Sequence, residues 1–174
     1  ISYLPIFRLD VFSELNLNVP AIYMDTDMLI IKKFNIDDVL KKFDVILLER
    51  VFDRDSKINI NLRNMNMFEY KEKTLYEVWP YIGCFEICRT ANFWKKCSEN
   101  LKTLDIKYQK WIGEQEAIRN VIKSSIFKFS TVKESEYACL PRYIHTNNFI
   151  PKIIHFKGGK DKDLMVYSDI LLNI

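Results

Sequence analysis

Apolar and polar positions change period several times along the chain, and each change marks an element. Leu9, Val11, Phe12 and Leu15 recur at helical spacing, predicting a short helix over Arg8 to Leu17 that Pro20 ends. Ala21-Ile22-Tyr23-Met24 and Met28 to Ile31 are apolar runs too short for helices. They read as two strands with the acids of Asp25-Thr26-Asp27 between them. Asn35 can cap a helix through Lys42, with Asp37 and Asp38 in the turn that favours negative charge. Val45-Ile46-Leu47-Leu48 reads as a buried strand. Residues 53–75 are polar and without period, a long excursion of the kind that often carries function. Trp79 to Ile87 reads as a strand bearing Gly83.

The second half alternates strand and helix more plainly. Thr90 is expected to cap a helix to about Lys102, burying Phe93, Trp94, Cys97 and Leu101. Gly113 precedes a helix from Glu114 to Lys123 with Ala117, Ile118, Val121 and Ile122 inward. Strands are expected over Ile126 to Val132 and Lys152 to Phe156, a glycine turn at Gly158-Gly159, and a closing helix over Leu164 to Leu172. Tyr137 to Tyr143, with Pro141, reads as the loop before the last strand. Strands alternating with helices predict an α/β fold in a single domain over residues 1–174.

Composition narrows the function classes. The 174 residues are within the usual size of one domain, and 48% hydrophobic residues suffice for a core. The net charge is +3, and lysines are interleaved with acids, which gives no footprint for nucleic acid. Only four glycines occur, and neither GxGxxG nor GxxxxGK[ST] is present, which excludes the usual dinucleotide and P-loop sites. Cys84, Cys88, Cys97 and Cys139 form no CxxC pair, so they read as buried free thiols in a reducing, cytoplasmic setting. No apolar run approaches the ~20 residues of a membrane helix.

Three places concentrate chemistry. Asp25 and Asp27 follow an apolar strand, and carboxylates there need compensation that a hard divalent cation, magnesium or manganese, can supply. The plain alternative is a solvated turn. His155 stands at the end of the last strand, ahead of Gly158, Gly159 and Lys160. Imidazole ligates manganese, glycine amides can approach a phosphate closely, and lysine adds charge. The plain alternative is a packed histidine. Glu114, Gln115 and Glu116 open a helix, where the acids suit its positive end and Gln115 can hydrogen-bond a polar ligand. Trp79, Trp94 and Trp111 read as core or pocket wall.

Taken in order, these motifs resemble one family. A strand runs into DxD, a glycine-bearing strand follows, then acid–Gln–acid at a helix start, then strand–His-Phe-x-Gly. The pattern is similar to metal-dependent glycosyltransferases of the glycogenin and bacterial lipopolysaccharide galactosyltransferase type, across residues 8–163. The resemblance implies a GT-A fold, a mixed sheet flanked by helices. It implies Mn2+ (or Mg2+) held by Asp25, Asp27 and His155, with Thr26 in the same motif and Gly158 and Lys160 on the diphosphate of a UDP-sugar. Gln115 would lie near the anomeric carbon, with Glu114 or Glu116 on sugar hydroxyls. Transfer would retain configuration, to a glycan, lipid-glycan or protein acceptor. The closing motif departs from the family's, reading His155-Phe156-Lys157-Gly158-Gly159-Lys160-Asp161-Lys162, without Pro-Trp. Glutamates stand where the family has aspartates, and Gly83 alone keeps its Asn-Ser-Gly. The family also carries a nucleotide-binding βαβ portion upstream of DxD. Only 24 residues precede Asp25, and the chain opens on Ile1, so the expectation is an N-terminally incomplete domain that binds nucleotide poorly alone.

Two other readings stand beside this one. A haloacid-dehalogenase-type phosphatase would use Asp25 as nucleophile, with Ser130 and Lys133 as partners, although no GDxxxD follows. A GT-A-like domain could also bind without catalysis.

Overall fold

The computed structural model describes residues 4–61, 65–109, 112–146 and 150–165. Its elements are α1 (Leu4–Glu14), β1 (Ala21–Met24), β2 (Met28–Ile30), α2 (Asp37–Leu40), β3 (Val45–Glu49), α3 (Leu75–Val78) and β4 (Tyr81–Cys88). They continue with α4 (Asn92–Thr103), α5 (Gly113–Lys123), β5 (Phe129–Lys133), α6 (Glu134–Tyr137), β6 (Ile153–His155) and α7 (Gly159–Met165). The result is a mixed α/β architecture. A four-stranded sheet runs β1-β4-β3-β5, with β4 antiparallel to both neighbours and β3 parallel to β5. A second, two-stranded sheet pairs β2 with β6 antiparallel.

Strand alternation gives the large sheet two apolar faces. Val45 and Leu47 of β3 join Tyr23 and Cys88 against α1, α4 and α5, where Phe93, Trp94, Cys97, Leu101, Ala117 and Ile118 are buried. Ile46 and Leu48 face the other way, with Ile82, Phe85 and Ile87, against Met28, Leu40, Tyr137 and Ile153. Side chains buried this fully contribute roughly 1.5–3 kcal/mol each. The inward faces of α4 and α5 are the ones their periodicity predicts.

Several boundaries differ from expectation, for local reasons. The first helix ends at Glu14 because Asn16 takes a left-handed conformation (φ 45°), four residues before Pro20. Ala91, not Thr90, stands at the N-cap of α4; Thr90 Oγ1 accepts from Asn92 N at 3.4 Å. The fifth strand starts at Phe129, leaving Ile126 exposed. Of the closing helix, residues 166–172 lie outside the described residues. The polar excursion is not loose chain. Ile58, Met65, Met67 and Tyr70 pack with Val78, Trp79 and Ile112 into a third small core. A Lys57–Thr74 bridge and a Thr74–Glu77 capping box pin its end. All four cysteines are free and buried. Among the described residues, no helix is long and apolar enough to cross a membrane.

Candidate functional site

Asp25, Thr26 and Asp27 lie where the chain leaves one sheet for the other. β1 pairs with β4, and the Asp25 amide extends that ladder to Cys84 O at 3.0 Å. Three residues later β2 has begun pairing with β6, placing Met28 opposite His155. Phe156 N closes the junction on Asp27 O at 2.8 Å. This register brings His155 to the two aspartates. One ligand atom from each of Asp25, Asp27 and His155 lies within 4.8 Å of the others. His155 Nε2 is 3.3 Å from Asp27 Oδ1. Burial holds the imidazole below its ordinary pKa, against the pull of Asp27 and Asp25, so it is neutral and able to ligate. Thr26 is exposed in the turn.

The carboxylates are already compensated in part. Lys162 Nζ on α7 sits 3.1 Å from Asp27 Oδ2. Arg8 of α1 donates to Asp25 Oδ1 at 3.0 Å, to the Tyr23 hydroxyl, and to Glu114. Tyr23 in turn donates to Asp25 Oδ1. Arg8 also reaches Gly83 O at 3.1 Å. That carbonyl is available because the β3–β4 ladder slips: Leu47 faces Glu86, but Leu48 faces Ile82. A bulge of this kind re-aims backbone groups beside a site. A Cβ on Gly83 would come within 2.5 Å of Glu114 Oε2, so the glycine makes room for the carboxylate that holds Arg8.

Helix α5 presents the acid–Gln–acid run in three directions. Glu114 belongs to the Arg8–Asp25 cluster. Glu116 is engaged through both oxygens elsewhere, accepting from Trp79 Nε1 at 2.8 Å and from Arg119. Gln115 Oε1 accepts from Arg50 Nη2 at 2.7 Å. Arg50 follows β3, is 7% exposed, and donates through Nε to Trp79 O at 3.0 Å. Nearby, buried Glu134 accepts at 2.9 Å from the amides of both Val51 and Phe52, and burial raises its pKa.

At the other rim, Gly158 has φ +86°, a conformation that favours glycine. A Cβ at Gly158 or Gly159 would meet no heavy atom within 4 Å, so both backbones face open space. The Lys160 side chain and Trp111 lie outside the described residues, and the closing-motif lysine seen at the aspartates is Lys162. Ser130 and Lys133 are not brought to Asp25. They lie on β5, at the opposite edge of the sheet from β1.

Arg8, Tyr23 and Lys162 join the aspartates and His155, while Arg50 and Glu134 stand on the Gln115 side. Sequence reasoning named only Lys162 among them, as a neighbour in the closing motif. Arg50 left a usable signal: a charged residue directly after a buried strand, as Asp25 follows β1. Arg8 left little, since an arginine on a short helix is ordinarily solvated.

Two carboxylates and a neutral imidazole form a donor set suited to a borderline-hard divalent cation such as manganese. Compared with family models, with curated proteins and with solved structures, the chain matches none of them.

Proposed function

We propose that the cluster binds a divalent cation together with a nucleotide-diphosphate sugar, and that the chain belongs to a metal-dependent GT-A-type glycosyltransferase. The observation that carries this is the convergence of Asp25, Asp27 and His155 from two sheets, with Lys162 on Asp27. Asp25, Asp27 and His155 would hold Mn2+ or Mg2+. Such an ion, when bound, neutralises charge on a diphosphate leaving group. Lys162 supplies a cation on an exposed stem at the same carboxylate, placed to move onto a phosphate oxygen. The open backbone at Gly158 and Gly159 lets a phosphate approach without a side chain in the way. Arg8 and Glu114 offer a donor and an acceptor beside Asp25, a pairing that suits sugar hydroxyls. The donor is read as a UDP-sugar, and the acceptor as a glycan, lipid-glycan or protein hydroxyl.

Calorimetry with Mn2+ and with UDP in its presence tests this reading. Manganese should bind to the wild type and not to Asp25→Ala with Asp27→Ala, and UDP binding should require the metal. Equal manganese and UDP binding by that double variant would sink the reading.

A further inference from the structure

The first turn of α5 is pinned on every side but one. Gly113 is packed so closely on the Tyr108 carbonyl that no Cβ fits. Glu114 is held by Arg8, and Glu116 by Trp79 and Arg119. Between these buried carboxylates Gln115 is only half-buried. Its Oε1 accepts from Arg50 Nη2 at 2.7 Å, and its Nε2 makes no hydrogen bond among the described residues.

The two ends of a glutamine amide look alike in shape, but an arginine distinguishes them. A guanidinium carries donors only, so the atom that meets it must be the carbonyl oxygen. Arg50 is itself immobile. Its backbone amide donates to Pro80 O at 2.8 Å and its Nε to Trp79 O at 3.0 Å. The side chain therefore cannot turn to follow Gln115; Gln115 must turn to suit Arg50.

We propose that Arg50 is a positioning residue that fixes Gln115 as a hydrogen-bond donor, its Nε2 presented to an oxygen of the bound sugar. The ligand half of this statement rests on the glycosyltransferase reading above; the orientation half does not. The consequence is specific. A carbonyl oxygen engaged by a buried cation is a poor nucleophile, so Gln115 does not attack the anomeric carbon. It binds an acceptor atom, a hydroxyl or ring oxygen, and an acidic side chain at this position cannot replace it.

The test compares two variants that keep the length of the side chain. Gln115→Glu keeps an acceptor for Arg50 and replaces the donor by a second acceptor. Gln115→Met removes both without adding charge. With manganese present, the affinity ratio of sugar nucleotide to UDP is measured, using whichever of UDP-glucose and UDP-galactose the wild type binds more tightly. Both variants should lower the ratio about tenfold, the worth of one hydrogen bond to a ligand. Arg50→Lys should lower it too, and the double variant Arg50→Lys with Gln115→Met should be no worse than Gln115→Met alone. A merely structural arginine would instead add its loss to that of the glutamine. Sugar-nucleotide affinity kept or raised in Gln115→Glu overturns the proposal, as do additive losses. If the wild type binds neither nucleotide, the ligand half falls with the reading it rests on. The orientation is then judged by urea unfolding of the same single and double variants, where zero coupling between positions 50 and 115 overturns it.

Discussion

The two ends of the four-stranded sheet each hold arginine, and they use it differently. Where β1 and β3 finish, Arg8 and Arg50 donate to side chains, namely Tyr23, Asp25, Glu114 and Gln115, as well as to the carbonyls of Gly83 and Trp79. Where β3 begins, Arg89 donates to the main-chain carbonyls of Leu40 and Phe43 and pairs with Asp44 at 3.3 Å. A cleft of about 300 Å3 opens at that second end, lined by Asp44, Arg89, Thr90, Phe93 and Phe127 among others. Its cation is committed to carbonyls that cannot leave, and Asp44 is its single carboxylate. At the first end, carboxylates, an imidazole and an amide nitrogen without a partner among the described residues remain. An arginine spent on backbone finishes a fold; one spent on side chains leaves a site.

The comparison can be broken most severely at the helix that feeds the first end. Gly113→Ala has no space beside the Tyr108 carbonyl, and the expected cost exceeds about 4 kcal/mol, seen as loss of cooperative unfolding in urea. Arg8→Ala leaves Glu114 buried without its cation and should cost about 3 kcal/mol. If Arg8→Ala unfolds at the wild-type urea midpoint, the side-chain network is not what holds this end.

Glu86 offers a prediction on pH. It is fully buried beside Trp94 Nε1, which donates at 2.8 Å, and its other oxygen has no partner among the described residues. Burial pushes its pKa from 4.5 up to about 7, against the pull of the Trp94 bond and of Arg8. The folded state therefore keeps a proton that the unfolded state loses between pH 4.5 and about 7. Stability falls as pH rises through that window, by on the order of 3 kcal/mol for this group. Glu86→Gln should flatten the fall and gain stability above pH 7, with little change at pH 4. An unchanged slope of stability against pH in that variant would show that Glu86 is ionised throughout.

Smaller effects sharpen the contrast. Arg89→Ala should cost about 1–2 kcal/mol by leaving the Leu40 and Phe43 carbonyls short of a donor, and should leave manganese binding as it was. A loss of manganese affinity there would mean that the two ends are coupled. Lys162→Ala should change stability by less than about 1 kcal/mol, since its side chain is 57% exposed, and should tighten manganese binding by removing a competitor for Asp27. Weakened binding of manganese alone would show that the lysine positions Asp27 instead of competing for it.

Much of the frame is legible residue by residue. The buried faces of α4 and α5, the strand Val45 to Leu48, and the turn holding Asp25 and Asp27 all follow from local period and turn chemistry. The third core does not, because Ile58, Met65, Met67 and Tyr70 are scattered among polar residues and find their partners in Val78, Trp79 and Ile112. In the site, Asp25, Asp27, His155, Glu114 and Gln115 can be singled out by motif. Glu114 and Glu116 look equivalent in the sequence, yet one reaches Arg8 and the other Trp79 and Arg119.

What the sequence by itself determined is therefore the elements and the supply of ligating groups, because periodicity and turn chemistry are properties of neighbouring residues. Only the tertiary structure decided which groups meet. The β2–β6 register sets His155 beside the aspartates, 128 residues from Asp27 (155 − 27 = 128). The slip in the β3–β4 ladder frees Gly83 O for Arg8, and the end of β3 puts Arg50 under Gln115. Such pairings depend on strand order and register across the whole chain, and no local pattern encodes them.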